Sequence, residues 1–206
     1  MLKSCSARSS AKRSAILDAA QRCFLEHGYA STSMDTVAAT AAVSKATIYA
    51  HFQSKDQLFA AIIHRRCDSL ACAADALEVS EITDARATLT TLARQLMSML
   101  LDGDVLCIYR MVVAESSRHA DLARTYFEAG PTRGKQRLSK TLDALVSKGL
   151  LQIDDTWLAM DQFIGMLRGE HFHRALLGLP AGDRTDLERT IEGAVETIMR
   201  AYAPRA

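Results

Sequence analysis

Ser33 to Phe59 reads SMDTVAATAAVSKATIYAHFQSKDQLF, and the fold turns on this stretch. Met34, Val37, Ala38 and Ala41 recur at helical spacing, which puts one apolar face on a short helix with Ser33 as its N-cap. Ala41-Ala42-Val43 forms a tight turn, and Ser44 is placed to cap a second helix, Lys45 to His51, that buries Ile48. Ser54-Lys55-Asp56-Gln57 is a capping box and opens a longer helix through Leu58, Ile62 and Leu70. Spacing alone allows a helix-turn-helix, whose second helix can lie in a DNA major groove, or an ordinary αα-hairpin. The side chains favour the first. A DNA-reading face needs short polar groups and a few cations, and Ser44, Lys45, Thr47, Tyr49, His51 and Lys55 are that set, with no acid between Ser44 and Lys55.

The chain of 206 residues is long enough for one large or two small domains. Three prolines and abundant Ala and Leu favour an all-α protein. No apolar run approaches the ~18 residues that span a bilayer, and Met1 to Ser10 lacks the apolar core of a signal peptide, so a cytoplasmic location is expected. The net charge of +1 conceals an asymmetry: residues 1–64 carry seven Lys or Arg against four acids, a net +3, and the remainder is net −2. A basic end on a mildly acidic body suits nucleic acid at one end only. Cys5, Cys23, Cys67, Cys72 and Cys107 show no zinc-site spacing and argue against a metal site or a disulfide framework, with Cys23 and Cys67 in apolar stripes.

Along the chain, residues 1–9 read as a disordered basic tail. A first helix carries Ile16, Ala20, Cys23, Phe24 and His27 on one stripe and stops at Gly28. The fourth helix, Lys55 to about Leu77, is expected to link two domains, with its N-terminus free to meet a DNA phosphate through backbone N–H groups and Lys55. Further helices follow: Asp84 to Leu101, Val105 to Glu115, a short one at Leu122 to Phe127 halted before Gly130-Pro131, and one around Leu138 to Val146 ended by Gly149. Asp154 or Asp155 then caps an apolar helix, Thr156 to Leu177, and a last helix runs from about Asp186 to Tyr202.

Residues Arg13 to Ile63 resemble the DNA-binding domain of the TetR family of bacterial transcriptional regulators. The residues that carry the resemblance are Ile16-Leu17-Ala19-Ala20, Phe24, Gly28-Tyr29, Thr32, Val37-Ala38, Val43-Ser44-Lys45, Thr47-Ile48-Tyr49, Phe52, Lys55 and Leu58. One departure stands in the turn, where the family usually has Gly before Val43 and this chain has Ala42; a left-handed Ala costs ~1 kcal/mol more than Gly there, which points to a tighter or re-aimed turn. Ala46 stands where Gly or Ala is usual. The second part is similar to the C-terminal domain of AefR-like members, through Arg110-Met-Val-Val-Ala-Glu115, Leu122-Ala-Arg-Thr-Tyr-Phe127, Gly130-Pro131, Gly149-Leu150 and Phe163-Ile-Gly165.

The resemblance implies an all-α, TetR-like chain of about nine helices: residues 10–55 a three-helix helix-turn-helix DNA-binding domain, residues 56–206 a helical effector-binding and dimerisation domain. It implies a homodimeric, ligand-responsive repressor that holds a palindromic operator in double-stranded DNA through Thr32, Ser33, Ser44, Lys45, Ala46, Thr47, Tyr49, His51 and Lys55, with Thr47 on a base edge. It places a ligand pocket among the middle helices and a dimer interface on the last two, where Trp157, Met160, Ile164, Phe172, Leu187, Ile191, Val195 and Ile198 are the expected contacts. The polar groups Arg110, Glu115, His119, Tyr126, Arg168 and His171 sit within apolar segments and read either as orienting groups for a hydrophobic small-molecule effector or as internal pairs. Arg168 and His171, three apart, are expected on one helical face. No catalytic motif and no cofactor-binding motif is present. A non-DNA-reading small-molecule-binding or interaction protein on the same fold is the alternative.

Overall fold

A computed structural model of the chain describes residues 2–74, 82–180 and 182–204, with side chains for 10–66, 82–180 and 182–204. Among the described residues it is all helix, eleven α-helices and one π-helical turn, where about nine helices were expected. The chain divides into two compact units, one made of residues up to Arg66 together with Cys107–Pro131, the other of Cys67–Leu106 and the residues from Thr132 onward.

In the first unit, α1 (Leu2–Ser31) continues into the segment expected to be a disordered tail, because nothing before Gly28 interrupts helical backbone. Gly28 then breaks it with φ 78 and ψ 169, a conformation open to glycine. The chain returns through Tyr29 into α2 (Met34–Thr40) and α3 (Lys45–His51), followed by α4 (Lys55–Ala74). Ser33, Ser44 and Ser54 cap these helices as expected, accepting the N–H of Thr36, Thr47 and Gln57 at 3.0, 3.1 and 3.1 Å. Ile16, Leu17, Ala20 and Phe24 of α1, Val37 of α2 and Ile48 of α3 close one core. Phe59 of α4 belongs to it too: its ring meets Phe24 at 5.8 Å and Tyr29 at 5.5 Å edge-on. Packing thus carries this unit past the expected boundary at residue 55. Within the same unit lie the end of α6 (Gly103–Glu115), α7 (Ala120–Phe127) and most of the π-turn Glu128–Thr132. The sequence places a stop before Gly130-Pro131; instead the π-turn leads on into α8, the wider turn accommodating a proline that has no N–H to give. The backbone at Gly130 comes close to α4: a Cβ there would stand 3.0 Å from Ile63 Cγ2.

The second unit is built from α5 (Ala85–Leu100), α8 (Arg133–Ser147), α9 (Thr156–Leu167), α10 (Glu170–Leu176) and α11 (Arg184–Tyr202). Asp84 and Asp155 cap α5 and α9, and Gly149, at φ 69, ends α8. α11 packs on α5 and α9, and α8 on α9. Between them Leu89, Leu92, Leu142, Leu145, Met160, Phe163, Leu167, Ile191 and Val195 are buried, each large side chain contributing about 1.5–3 kcal/mol of transfer free energy.

Two expectations change here. The apolar helix Thr156 to Leu177 is two helices, broken at Arg168-Gly169 where Gly169 takes φ −65 and ψ −147. Arg168 is the C-cap of α9 and His171 lies on α10, so they do not share a helical face. Of the expected dimer contacts, Met160, Phe172, Ile191, Val195 and Ile198 are spent on the chain's own core, at 0–5 % exposure. Trp157 is exposed at 43 %, and Ile164 and Leu187 are half-buried. The strongest apolar stripe of an amphipathic helix goes to the core of its own chain.

Candidate nucleic-acid interface

The α2–turn–α3 segment is joined by a turn whose central residue, Ala42, adopts φ 53. The turn keeps the left-handed geometry that glycine would take more easily, so the alanine is strained and the turn is not re-aimed. Val43 N donates to Ala38 O at 3.0 Å and Ala42 N to Ala39 O at 3.1 Å, closing the end of α2.

On α3, Ile48 is fully buried and fixes the roll of the helix. Residues two apart on a helix diverge by about 200°, so Ala46 and Ala50 point away from that core. Lys45, Ala46, Tyr49 and Ala50 are exposed, with Thr47 and His51 half-buried at the edges. The outward face is therefore two methyl groups flanked by a phenol, a hydroxyl, an imidazole and an ammonium. Ala50 has no polar group to draw attention in the sequence; only the position of Ile48 shows it. A face this small admits close approach to base edges, and a methyl can pack on the thymine methyl.

The polar groups are held in defined places. Ser44 Oγ and Thr47 Oγ1 lie 2.8 Å apart, so capping of α3 also orients the Thr47 hydroxyl. Ser33 Oγ is likewise 2.8 Å from Thr36 Oγ1. Lys45 Nζ donates to Asp35 Oδ2 at 2.9 Å, bridging α3 to α2. The hydrogen bond and charge of Asp35 hold the Lys45 ammonium above the ordinary lysine range.

Two residues expected on the DNA face are elsewhere. Thr32 is 1 % exposed, and its one hydroxyl hydrogen is shared between two carbonyls, Gly28 O at 2.8 Å and Cys23 O at 3.1 Å. Lys55 turns inward: Nζ donates to Tyr29 O at 2.8 Å, Thr32 O at 3.0 Å and Ala30 O at 3.4 Å, and sits 4.3 Å from the Tyr29 ring centroid. An ammonium has three donors, and these carbonyls take all three. Lys55 thus holds the end of α1 in place just ahead of α2. Burial lowers its pKa, against the opposing charges of Asp56 and Glu115. Next to it the Tyr29 hydroxyl donates to Asp56 Oδ1, and burial, followed by that bond, pushes the phenol pKa up.

The expected effector-pocket residues divide between the units. Arg110, Glu115, His119 and Tyr126 belong to the first, where Glu115 faces His119 at 3.7 Å, His119 meets the Tyr29 ring at 6.3 Å, and Tyr126 packs edge-on against Tyr109 at 5.9 Å. Arg110 is exposed, with Nη1 3.9 Å from Cys107 Sγ. Arg168 and His171 belong to the second; the Arg168 guanidinium stands 5.4 Å from the Phe172 ring centroid, with its Nε buried and unpaired. Cys23 is buried, its thiol 3.4 Å from Thr40 Oγ1, whereas Cys5, Cys67 and Cys72 lie outside the described side chains. Among the described residues no three His, Cys, Asp or Glu are arranged to hold a metal, and no helix is long and apolar enough to cross a membrane.

Residues 16–62 match the description "Bacterial regulatory proteins, tetR family", and residues 87–204 match "AefR-like transcriptional repressor, C-terminal domain". The HTH-type transcriptional activator FasR of Mycolicibacterium smegmatis is 41 % identical over 59 residues, 29 % of this chain and 27 % of FasR. Such matches span about a quarter of the curated relatives' length. Solved structures match nearly end to end. A TetR-family transcriptional regulator from Mesorhizobium loti is 29 % identical, covering 96 % of this chain and 99 % of that one, with a TM-score of 0.81. The flavonoid-responsive regulator FrrA is 34 % identical, covering 96 % and 100 %, with a TM-score of 0.78.

Proposed function

The chain belongs to the TetR family of bacterial transcriptional regulators, with an AefR-like C-terminal domain, and on that premise we propose that it is a cytoplasmic, homodimeric, ligand-responsive repressor. The single observation that carries the DNA-reading part is the outward face of α3: Ala46, Ala50, Tyr49 and Lys45, exposed and with no acid on α3 itself, on a helix whose roll is locked by Ile48. Thr47 and Ala50 read base edges, while Ser33, Ser44, Lys45, Tyr49 and His51 set the helix against sugar and phosphate. Lys55 and Thr32 support that head from inside.

Two copies place two such helices in successive major grooves, about 34–36 Å apart, which matches a palindromic operator. The dimer forms through the surfaces of α9 and α11 left outside the core, with Trp157, Leu158, Ile164 and Leu187 contributing. The effector is a hydrophobic small molecule, in keeping with the flavonoid response in FrrA's name. It lowers operator affinity by binding better to a state in which α4, continuous from Lys55 to Ala74, is displaced. The repressor assignment leans on the description of the C-terminal match; FasR carries an activator's name, and where the operator lies relative to the promoter determines the sign.

Selection of fragmented genomic DNA on the purified chain, with sequencing of what is retained, tests this reading. A palindromic motif with half-sites one helical turn apart is expected. Weak, motif-free retention would leave a small-molecule-binding protein that has lost its DNA role.

A further inference from the structure

α3 carries no arginine, asparagine or glutamine, the side chains that grip a purine edge with two hydrogen bonds at once. Its polar groups already take part in holding the reading head together. Lys45 Nζ donates to Asp35 Oδ2 at 2.9 Å, and the Thr47 hydroxyl lies 2.8 Å from Ser44 Oγ. Tyr49 offers a single hydroxyl, and His51 is half-buried at the end of the helix. None of these presents a fixed fork to a base.

What α3 does present, turned away from the fully buried Ile48, is Ala46 and Ala50, both exposed. Four residues apart, they project within about 40° of each other, with Cβ atoms about 5–6 Å apart. A methyl group neither donates nor accepts, so it tells bases apart only by packing. In the major groove the one methyl on any base edge is at C5 of thymine; the other three bases are marked there by donors and acceptors. An alanine methyl laid on those polar edges would shut out water without replacing its hydrogen bonds, which costs free energy. Methyl against methyl carries no such cost and removes apolar surface from water.

We infer that Ala46 and Ala50 each pack on a thymine methyl, and that these two contacts set the base preference at the centre of each half-site, with Thr47 adding a single hydroxyl beside them. This rests on the DNA-reading assignment above and adds which base is read. Bases along one strand are spaced about 3.4 Å apart. A separation of about 5–6 Å between the two alanine Cβ atoms therefore sets the thymines on adjacent or next-but-one base pairs.

The test uses the full chain and the operator returned by the genomic selection. Each thymine of one half-site is replaced in turn by deoxyuridine, which pairs with adenine as before and lacks only the methyl, and affinity is read by fluorescence anisotropy. Two replacements, at the stated spacing, are expected to weaken binding about fourfold each, the effect of one buried methyl-sized group. Ala50→Gly should abolish the penalty at one of these positions and leave the other, and Ala46→Gly should do the reverse. Each variant is compared with itself on the two DNAs, so any loss of helix stability caused by glycine cancels. A wild type that tolerates every deoxyuridine overturns the inference, and this outcome needs no variant to fold. So does a penalty that both glycine variants retain, or a motif with no thymines at that spacing. A selection that returns no motif at all is a different failure: it removes the DNA-reading assignment, and this inference with it.

Discussion

Replacing Lys55 by Met separates an inward clamp from a phosphate contact. The ammonium donates to Tyr29 O at 2.8 Å, Thr32 O at 3.0 Å and, weakly, Ala30 O at 3.4 Å. Methionine keeps the aliphatic stem and removes the donors. Hydrogen bonds to a charged group contribute about 1.5–3 kcal/mol each, and two are well formed, but partial exposure at Lys55 discounts both. A net loss of about 2–3 kcal/mol follows, which in a chain of this size lowers Tm by roughly 5–10 °C. The assay pairs thermal unfolding by circular dichroism with operator binding over a range of KCl. Below the melting temperature the slope of log K against log salt should equal that of wild type, because no phosphate loses a partner. A phosphate-contacting lysine would behave in the opposite way: Tm unchanged and the slope shallower by about 0.9. That second pattern would refute the clamp.

Three other outcomes are expected. Ala50→Glu puts a carboxylate at the centre of the α3 face; operator affinity should drop by more than about 100-fold while Tm stays put, and gel-shift titration with native affinity would show that the wrong face has been assigned. Tyr49→Ala should likewise abolish binding with the dimer intact by sedimentation. Ala42→Gly relieves about 1–2 kcal/mol of left-handed strain but gives the unfolded chain about 0.4–1 kcal/mol of entropy, so denaturant titration should show a net gain of about 0.5–1 kcal/mol; a loss would contradict the φ of 53. Hydrogen bonds from Arg94 and Arg86 hold Glu188 and Glu196 below the usual glutamate range. Folded values below the unfolded ones mean that these pairs stabilise above pH about 4.3 and stop doing so as the pH falls through the lower folded values. The stability difference between wild type and Glu196→Gln should close over that window, and a difference unchanged down to pH about 2.5 would remove the ion pair as its cause.

Much of this protein was legible because the signals are local. Ser33, Ser44 and Ser54 cap helices through bonds that reach three residues ahead, and a capping serine is recognisable from its immediate neighbours. Gly28 and Gly149 end helices because of their own positive φ. The all-α class, the helix-turn-helix and the family resemblance all rest on such short-range chemistry. The tertiary structure decided everything that depends on a partner far along the chain. Lys55 reads as a DNA-facing cation until the carbonyls of Tyr29, Ala30 and Thr32, 23 to 26 residues away, take its donors. Met160, Ile191 and Val195 read as a dimer surface until α5, α9 and α11 close over one another. Ala50, a bare methyl among polar neighbours, carried no signal of its own. Periodicity says that a helix has an apolar stripe, but not which neighbour covers it, because the covering element is chosen by packing across the whole domain.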